Sequence, residues 1–150
     1  MTETMKAKTT AQLLNVVHKN VTMASDSILN VMPKVKDESL KSDMTVQLSA
    51  LEAFASRAAK LLADEGAKPE DESELAKMSA KWGAMFNTMR DSSTSHLASM
   101  MIEGATMGVN ELTRELREAE NTNVSESALR LMRDVCAFEE KIIKEMKAYL

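Results

Sequence analysis

The chain has 150 residues, of which 44% are apolar but only 3% aromatic, and its four glycines and two prolines favour helices over a β-sandwich or barrel. The formal net charge is −4, and because both signs of charge are interspersed without a basic stripe, we expect no nucleic acid partner. The single cysteine, Cys136, excludes an intramolecular disulfide, and the lack of a signal-peptide core or a long apolar run predicts a cytoplasmic protein without a membrane partner.

Local capping signals define the first two helices. Thr9 and Gln12 have the spacing of a capping box, so the first helix is predicted to begin after Thr9. Pro33 ends it, because proline lacks an amide proton and disfavours the helical conformation of the residue before it. Asp37 is a suitable N-cap for the second helix. Gly66 is predicted to end that helix.

The second half of the chain contains a shorter helix and two long ones. Apolar residues at helical spacing predict a short amphipathic helix over 75–89, and the run rich in serine and threonine at 91–95 places a break after it. The third long helix is predicted from about 94 to 119. Ser125 is suited to cap the last helix, which carries an acidic residue in its first turn.

Together these elements predict an all-α fold. Residues 1–8 are expected to be a flexible tail, and residues 9–150 a single domain. Short connections make the first and second long helices antiparallel neighbours, and likewise the third and fourth, whereas the long connection with its short helix crosses between the pairs. A four-helix bundle with one long crossover of this kind is the ferritin-like arrangement. The chain is also methionine-rich, with 13 residues that we interpret mainly as core packing.

Glu139 is a carboxylate within an apolar helical stripe. It completes a row in steps of three and four along the last helix, whose other members are Ala128, Met132, Val135, Ile142, Met146 and Tyr149. A buried carboxylate at that position is costly unless it is paired, protonated or bound to a metal. Three interpretations are open: a metal ligand, an anchor for a small ligand, or a buried acid that sets the register of the helices.

Two segments and the order of the helices carry a resemblance to a known family. LLADEGAKP at 61–69 closes the second helix, and MMIEGATMG at 100–108 lies in the third. With the helix order, they make residues 10–150 resemble the ferritin-like superfamily, and more narrowly the small bacterial ferritin-like proteins of unassigned function. The metalloenzymes of that superfamily bind two metal ions through a Glu on each of two helices and a Glu-x-x-His on each of the other two.

The ligand pattern of those metalloenzymes is incomplete in this chain. The residues three positions before His18 and His96 are asparagine and serine rather than glutamate, and the residue three positions after Glu139 is Ile142. We therefore predict that the di-metal site is lost and that the chain has no catalytic residues. The alternative is an atypical carboxylate site in which Glu139, Glu52 and His18 bind iron or another divalent metal.

Three further residues are singled out by their positions on helices. Gln47 borders the core face of the second helix and, with Glu139, is predicted to be a polar residue of the core. Gly104 and Gly108 form a Gly-x-x-x-Gly pair, and each costs about 0.8–1.0 kcal/mol relative to alanine in a helix interior. We predict that another helix, from this chain or from a second copy, packs closely against this pair and offsets the cost.

The sequence favours a binding protein over an enzyme. We interpret the chain as a non-catalytic ferritin-like bundle that acts as a binding or assembly module without a cofactor. It is expected to form a homo-oligomer, most simply a dimer, and a different protein is a second option for the partner. The alternative is a metal-binding ferritin-like protein that oxidises or stores iron or manganese.

Overall fold

The computed structural model of this protein describes residues 7–70 and 73–150. The side chains of residues 73–75, 78 and 79 lie outside the description, as do residues 1–6 of the predicted tail. Within the described part of the chain, all regular structure is helical, which confirms the all-α prediction. None of the described helices is long and apolar enough to cross a membrane.

The first two helices, α1 (Thr10–Val31) and α2 (Glu38–Asp64), begin at the predicted caps. The Thr9 hydroxyl accepts a hydrogen bond from the Gln12 amide at 3.1 Å, and the Gln12 side chain accepts one from the Thr9 amide at 2.8 Å. The Asp37 carboxylate accepts from the Leu40 amide at 2.9 Å. After α2, Gly66 adopts a φ of 70°, the left-handed conformation that glycine reaches without a steric penalty.

The remaining helices are α3 (Ser73–Asn87), α4 (Thr94–Ala119) and α5 (Glu126–Met146). Ser93 caps α4 by accepting from the His96 amide, and Ser125 caps α5 by accepting from the Ala128 amide. A non-helical stretch between α3 and α4 confirms the break predicted in this region. Short 3-10 turns follow α1 at Met32–Lys34 and α5 at Lys147–Tyr149.

The helices pack mainly as two pairs, α1 with α2 and α4 with α5. The pairs meet where α2 packs against α5 and where α1 packs against both α4 and α5, and α3 packs against α1. The fully buried side chains at the centre are largely leucine, methionine and valine. This arrangement places α3 over the region where α1 faces α4, and the candidate site lies in that region.

Candidate ligand-binding site

Glu139 lies on α5 with only 2% of its surface exposed, at the position that the apolar stripe assigns to it. Its carboxyl group faces α4 at Gly108. A Cβ atom added to Gly108 would lie 2.7 Å from Glu139 Oε1, closer than real Cβ atoms approach, and 3.1 Å from Oε2. Glycine at position 108 therefore provides the space for the carboxyl group.

The environment of Glu139 favours its neutral form. Burial raises the pKa of Glu139 from its ordinary value of 4.5 to about 8, and the nearby negative charge of Glu111 adds to the shift. Glu139 Oε1 accepts no hydrogen bond from the residues that the structure describes. The side chain is thus a predominantly protonated acid at pH 7, buried in the protein and incompletely satisfied.

A cavity of about 500 Å³ extends from Glu139 between α1 and α4. Most of its wall is apolar, and its aromatic part comes from Trp82 and Phe86 of α3, whose rings are stacked with centroids 5.8 Å apart. This volume lies within the range of about 300–1,000 Å³ that is usual for small-molecule sites. The cavity therefore combines an apolar wall with a buried carboxyl group, a composition suited to an amphipathic small molecule.

The small residues of α4 account for the empty volume. Gly104, Ala105 and Gly108 all line the cavity. A Cβ atom on Gly104 would meet no described atom within 4 Å, so no other helix in the described part of this chain packs closely against it. At Gly108 the neighbouring group is the carboxyl group of Glu139 on α5. Gly104 thus leaves open space beside α4, whereas Gly108 accommodates the carboxyl group of Glu139 from α5.

Asn20 and Glu111 are polar residues of the cavity wall, which also includes Lys19, Ser27, Asn110 and Arg114. Asn20 is 7% exposed, and its Nδ2 donates to the Gly108 carbonyl oxygen at 3.3 Å and to Glu111 Oε1 at 3.1 Å. Its Oδ1 is buried and, like Glu139 Oε1, has no hydrogen-bond donor among the described residues. Asn20 was not predicted as a site residue, although it completes a row with Leu13, Val17 and Ala24 in the same way as Glu139. Glu111 occupies an exposed position of α4, so its spacing along the helix does not indicate a site in the same way.

The other candidate residues lie away from a common centre. Gln47 is buried at 2% exposure, but its Nε2 donates to Glu145 Oε2 at 3.4 Å. Glu52 is exposed on α2, and His18 is partly buried on α1. Over residues 7–70 and 73–150, no group of three or more His, Cys, Asp or Glu side chains is arranged to hold a metal ion.

Cys136 and His96 do not contribute to the cavity wall. The Cys136 sulfur lies 3.7 Å from Thr113 Oγ1, and burial raises the pKa of its thiol, which disfavours the reactive thiolate. His96 lies near the start of α4, where its Nδ1 is 4.0 Å from the Asp91 carboxylate.

Comparison of this chain with protein-family models, with curated proteins and with solved structures found no match. The geometry of the cavity therefore supplies the evidence on function.

Proposed function

We propose that this protein is a non-catalytic binding module, a ferritin-like four-helix bundle that takes one small, largely apolar molecule into the cavity between α1, α3 and α4. The single observation that carries this proposal is the buried carboxyl group of Glu139, which lines an otherwise mainly apolar cavity and leaves Oε1 without a hydrogen-bond donor. Buried polar groups in native proteins are normally satisfied. A bound molecule with a polar end would supply the missing partner.

The two glycines of α4 destabilise the helix and border this space, which supports a binding role. Two glycines on one face of α4 each cost about 0.8–1.0 kcal/mol relative to alanine. At Gly104 an alanine side chain would fit, since nothing described lies within 4 Å of its Cβ position. The glycine there therefore has no packing requirement within the described structure, whereas it does enlarge the cavity.

The ferritin-like arrangement explains how such a site arises. The two helix pairs and the additional helix α3 agree with a bundle whose long crossover lies over one face. In ferritin-like metalloenzymes the inward-facing carboxylates bind metal ions. Here one inward carboxyl group is accompanied by an amide, Asn20, and by an apolar wall, a combination that suits an organic ligand better than an ion.

The proposal is tested by titrating the purified protein with decyl amphiphiles below their micelle concentrations, namely decanol, decylamine and decanoate. Trp82 is the only tryptophan and lines the cavity, so its fluorescence reports on occupancy directly. We expect saturable binding of one molecule per chain by at least one of the three probes, with an accompanying rise in the thermal midpoint.

Two variants on α4 separate binding in the cavity from adsorption to the surface. Gly104→Leu places a side chain into the cavity and is expected to weaken binding by tenfold or more. Ser99→Leu adds the same side chain at an exposed position outside the cavity wall and should bind like the wild type. The proposal fails if none of the probes binds saturably, or if Gly104→Leu binds as tightly as Ser99→Leu.

A further inference from the structure

The cavity presents two buried oxygen atoms that have no hydrogen-bond donor among the described residues. They are Oε1 of Glu139 on α5 and Oδ1 of Asn20 on α1, and both residues line the same space. A buried acceptor without a donor is destabilising, and two such acceptors at one cavity call for an explanation. A ligand group with at least two N–H donors would satisfy both.

The neighbouring polar groups also present acceptors. Asn20 Nδ2 already donates to the Gly108 carbonyl and to the Glu111 carboxylate. The reverse orientation of the Asn20 amide would place its oxygen against these two acceptors, so the hydrogen-bond network fixes the orientation. Of the cations in the cavity wall, Lys19 lies 3.3 Å from Glu70, and Arg114 is on the exposed side of α4. Asn110 and Arg114 also line the cavity but, like Glu111, occupy exposed positions, so the buried polar end, at Asn20 and Glu139, presents mainly acceptors.

On the basis of the proposed function, we infer that the occupant is an apolar molecule that ends in a primary ammonium group, whose N–H groups donate to Glu139 and Asn20. An ammonium group has three donors and no acceptor, which matches two unsatisfied oxygens. Its charge is opposite to that of the Glu139 and Glu111 carboxylates, so its hydrogen bonds are charge-assisted. Against the ionised carboxylate of Glu139, which is the form that the ammonium group pairs with, a hydroxyl group supplies only one donor and a ligand carboxylate supplies none.

Binding of the ammonium group is coupled to proton release by Glu139. Its pKa of about 8 means that Glu139 is largely protonated at pH 7, and the ion pair forms only with the carboxylate. The charged groups that share the cavity are Glu111 and Arg114 on α4 and Lys19 on α1. The cavity-lining residues of α2 and α3 are uncharged, namely Leu51, Trp82 and Phe86. Binding at pH 7 is therefore expected to release close to one proton, with an affinity that rises about ninefold from pH 6 to 7, about fivefold from pH 7 to 8, and levels off above pH 8.

The test compares decylamine, decanol and decanoate, which share a hydrocarbon chain and differ in the head group. With the wild-type protein at pH 8, we expect decylamine to bind at least about tenfold more tightly than decanol, and decanoate to bind more weakly than either. Calorimetry at pH 7 in two buffers with different ionisation enthalpies measures the released proton without any substitution in the protein.

Matched substitutions on α5 identify the group responsible. Glu139→Gln is expected to abolish the preference for decylamine over decanol and the proton release, while decanol still binds. Glu140→Gln makes the same substitution at an exposed neighbouring position and should retain both. This variant also controls for attraction of the amine to a protein of net charge −4.

The outcomes distinguish this inference from the proposed function. Equal affinity for decylamine and decanol in the wild type, a preference for decanoate, or an amine preference that persists in Glu139→Gln would each overturn the inference and leave the binding module in place. Failure of every probe to bind would overturn the proposed function and the inference together.

Discussion

The ionisation of Glu139 should make the stability of this protein fall as the pH rises from about 5 to 8. The informative perturbation is Glu139→Gln, because glutamine has nearly the same shape and cannot ionise. Any cost of burying an unpaired amide at this position is the same at every pH. The prediction therefore concerns how the difference in unfolding free energy between the variant and the wild type changes with pH.

The magnitude follows from the difference between the folded and unfolded pKa values. In the unfolded chain Glu139 titrates near 4.5, whereas in the fold its pKa is raised to about 8, first by burial and second by Glu111. Below pH 4.5 both states carry the proton, and the stability associated with the neutral acid is fully present. Between pH 4.5 and 8 only the folded state carries it, so about 1.4 kcal/mol is lost per pH unit, or about 5 kcal/mol in total. Small domains are stable by only about 5–15 kcal/mol, so this loss is large.

Urea denaturation of the wild type and of Glu139→Gln at intervals from pH 4.5 to 9 would measure this effect. We expect the stability of the variant relative to the wild type to increase steadily up to about pH 8 and then to level off. Glu140→Gln, which removes an exposed carboxylate from the same helix, serves as the control and should show little change. If the difference in unfolding free energy between Glu139→Gln and the wild type stays constant with pH, then Glu139 ionises with an ordinary pKa in the fold and burial does not raise it.

Three further predictions address the glycine pair, the C-terminal turn and metal content. Gly104→Ala should stabilise the protein by about 1 kcal/mol, because its Cβ enters open space. Gly108→Ala should be less stable than Gly104→Ala by more than about 1 kcal/mol, because its Cβ would lie 2.7 Å from Glu139 Oε1. Equal midpoints and slopes of urea denaturation for the two variants would contradict this. Tyr149, the only tyrosine, donates to the Asp43 carboxylate at 2.5 Å, and this hydrogen bond contributes most to raising the pKa of Tyr149 to about 12. Asp43→Asn should lower that pKa towards 10, measured by ultraviolet absorbance titration, and an unchanged titration would refute the contact. Elemental analysis of protein purified without chelator should show no stoichiometric metal, and near-stoichiometric iron, manganese or zinc that is lost in Glu139→Ala would instead support the metal-binding alternative.

Helix positions were predictable from the sequence because their signals are local. The capping box of Thr9 and Gln12, the N-caps Asp37 and Ser125, and the left-handed Gly66 act through atoms a few residues apart. The same holds for the burial of Glu139, since a helix repeats every 3.6 residues and a position that completes an apolar row faces the core.

The contents of the site were less predictable, because they depend on which helix faces which. Asn20 and Glu139 are 119 positions apart, and nothing in the spacing of either residue indicates that both border one cavity. The sequence left a metal ligand, a ligand anchor and a register-setting acid open for Glu139. The contact with Gly108 and the unsatisfied oxygen of Asn20 now favour the ligand anchor as our proposal.

The sequence by itself therefore determined the helices, their ends and the burial of an acid on the last helix, because capping and periodicity are short-range properties. Only the tertiary structure decided what surrounds that acid. The glycine pair on α4 illustrates the difference: the same two residues are compatible with a tight helix contact or with an empty space. The choice depends on the distance to α1 and α3, which is set by the packing of the whole domain.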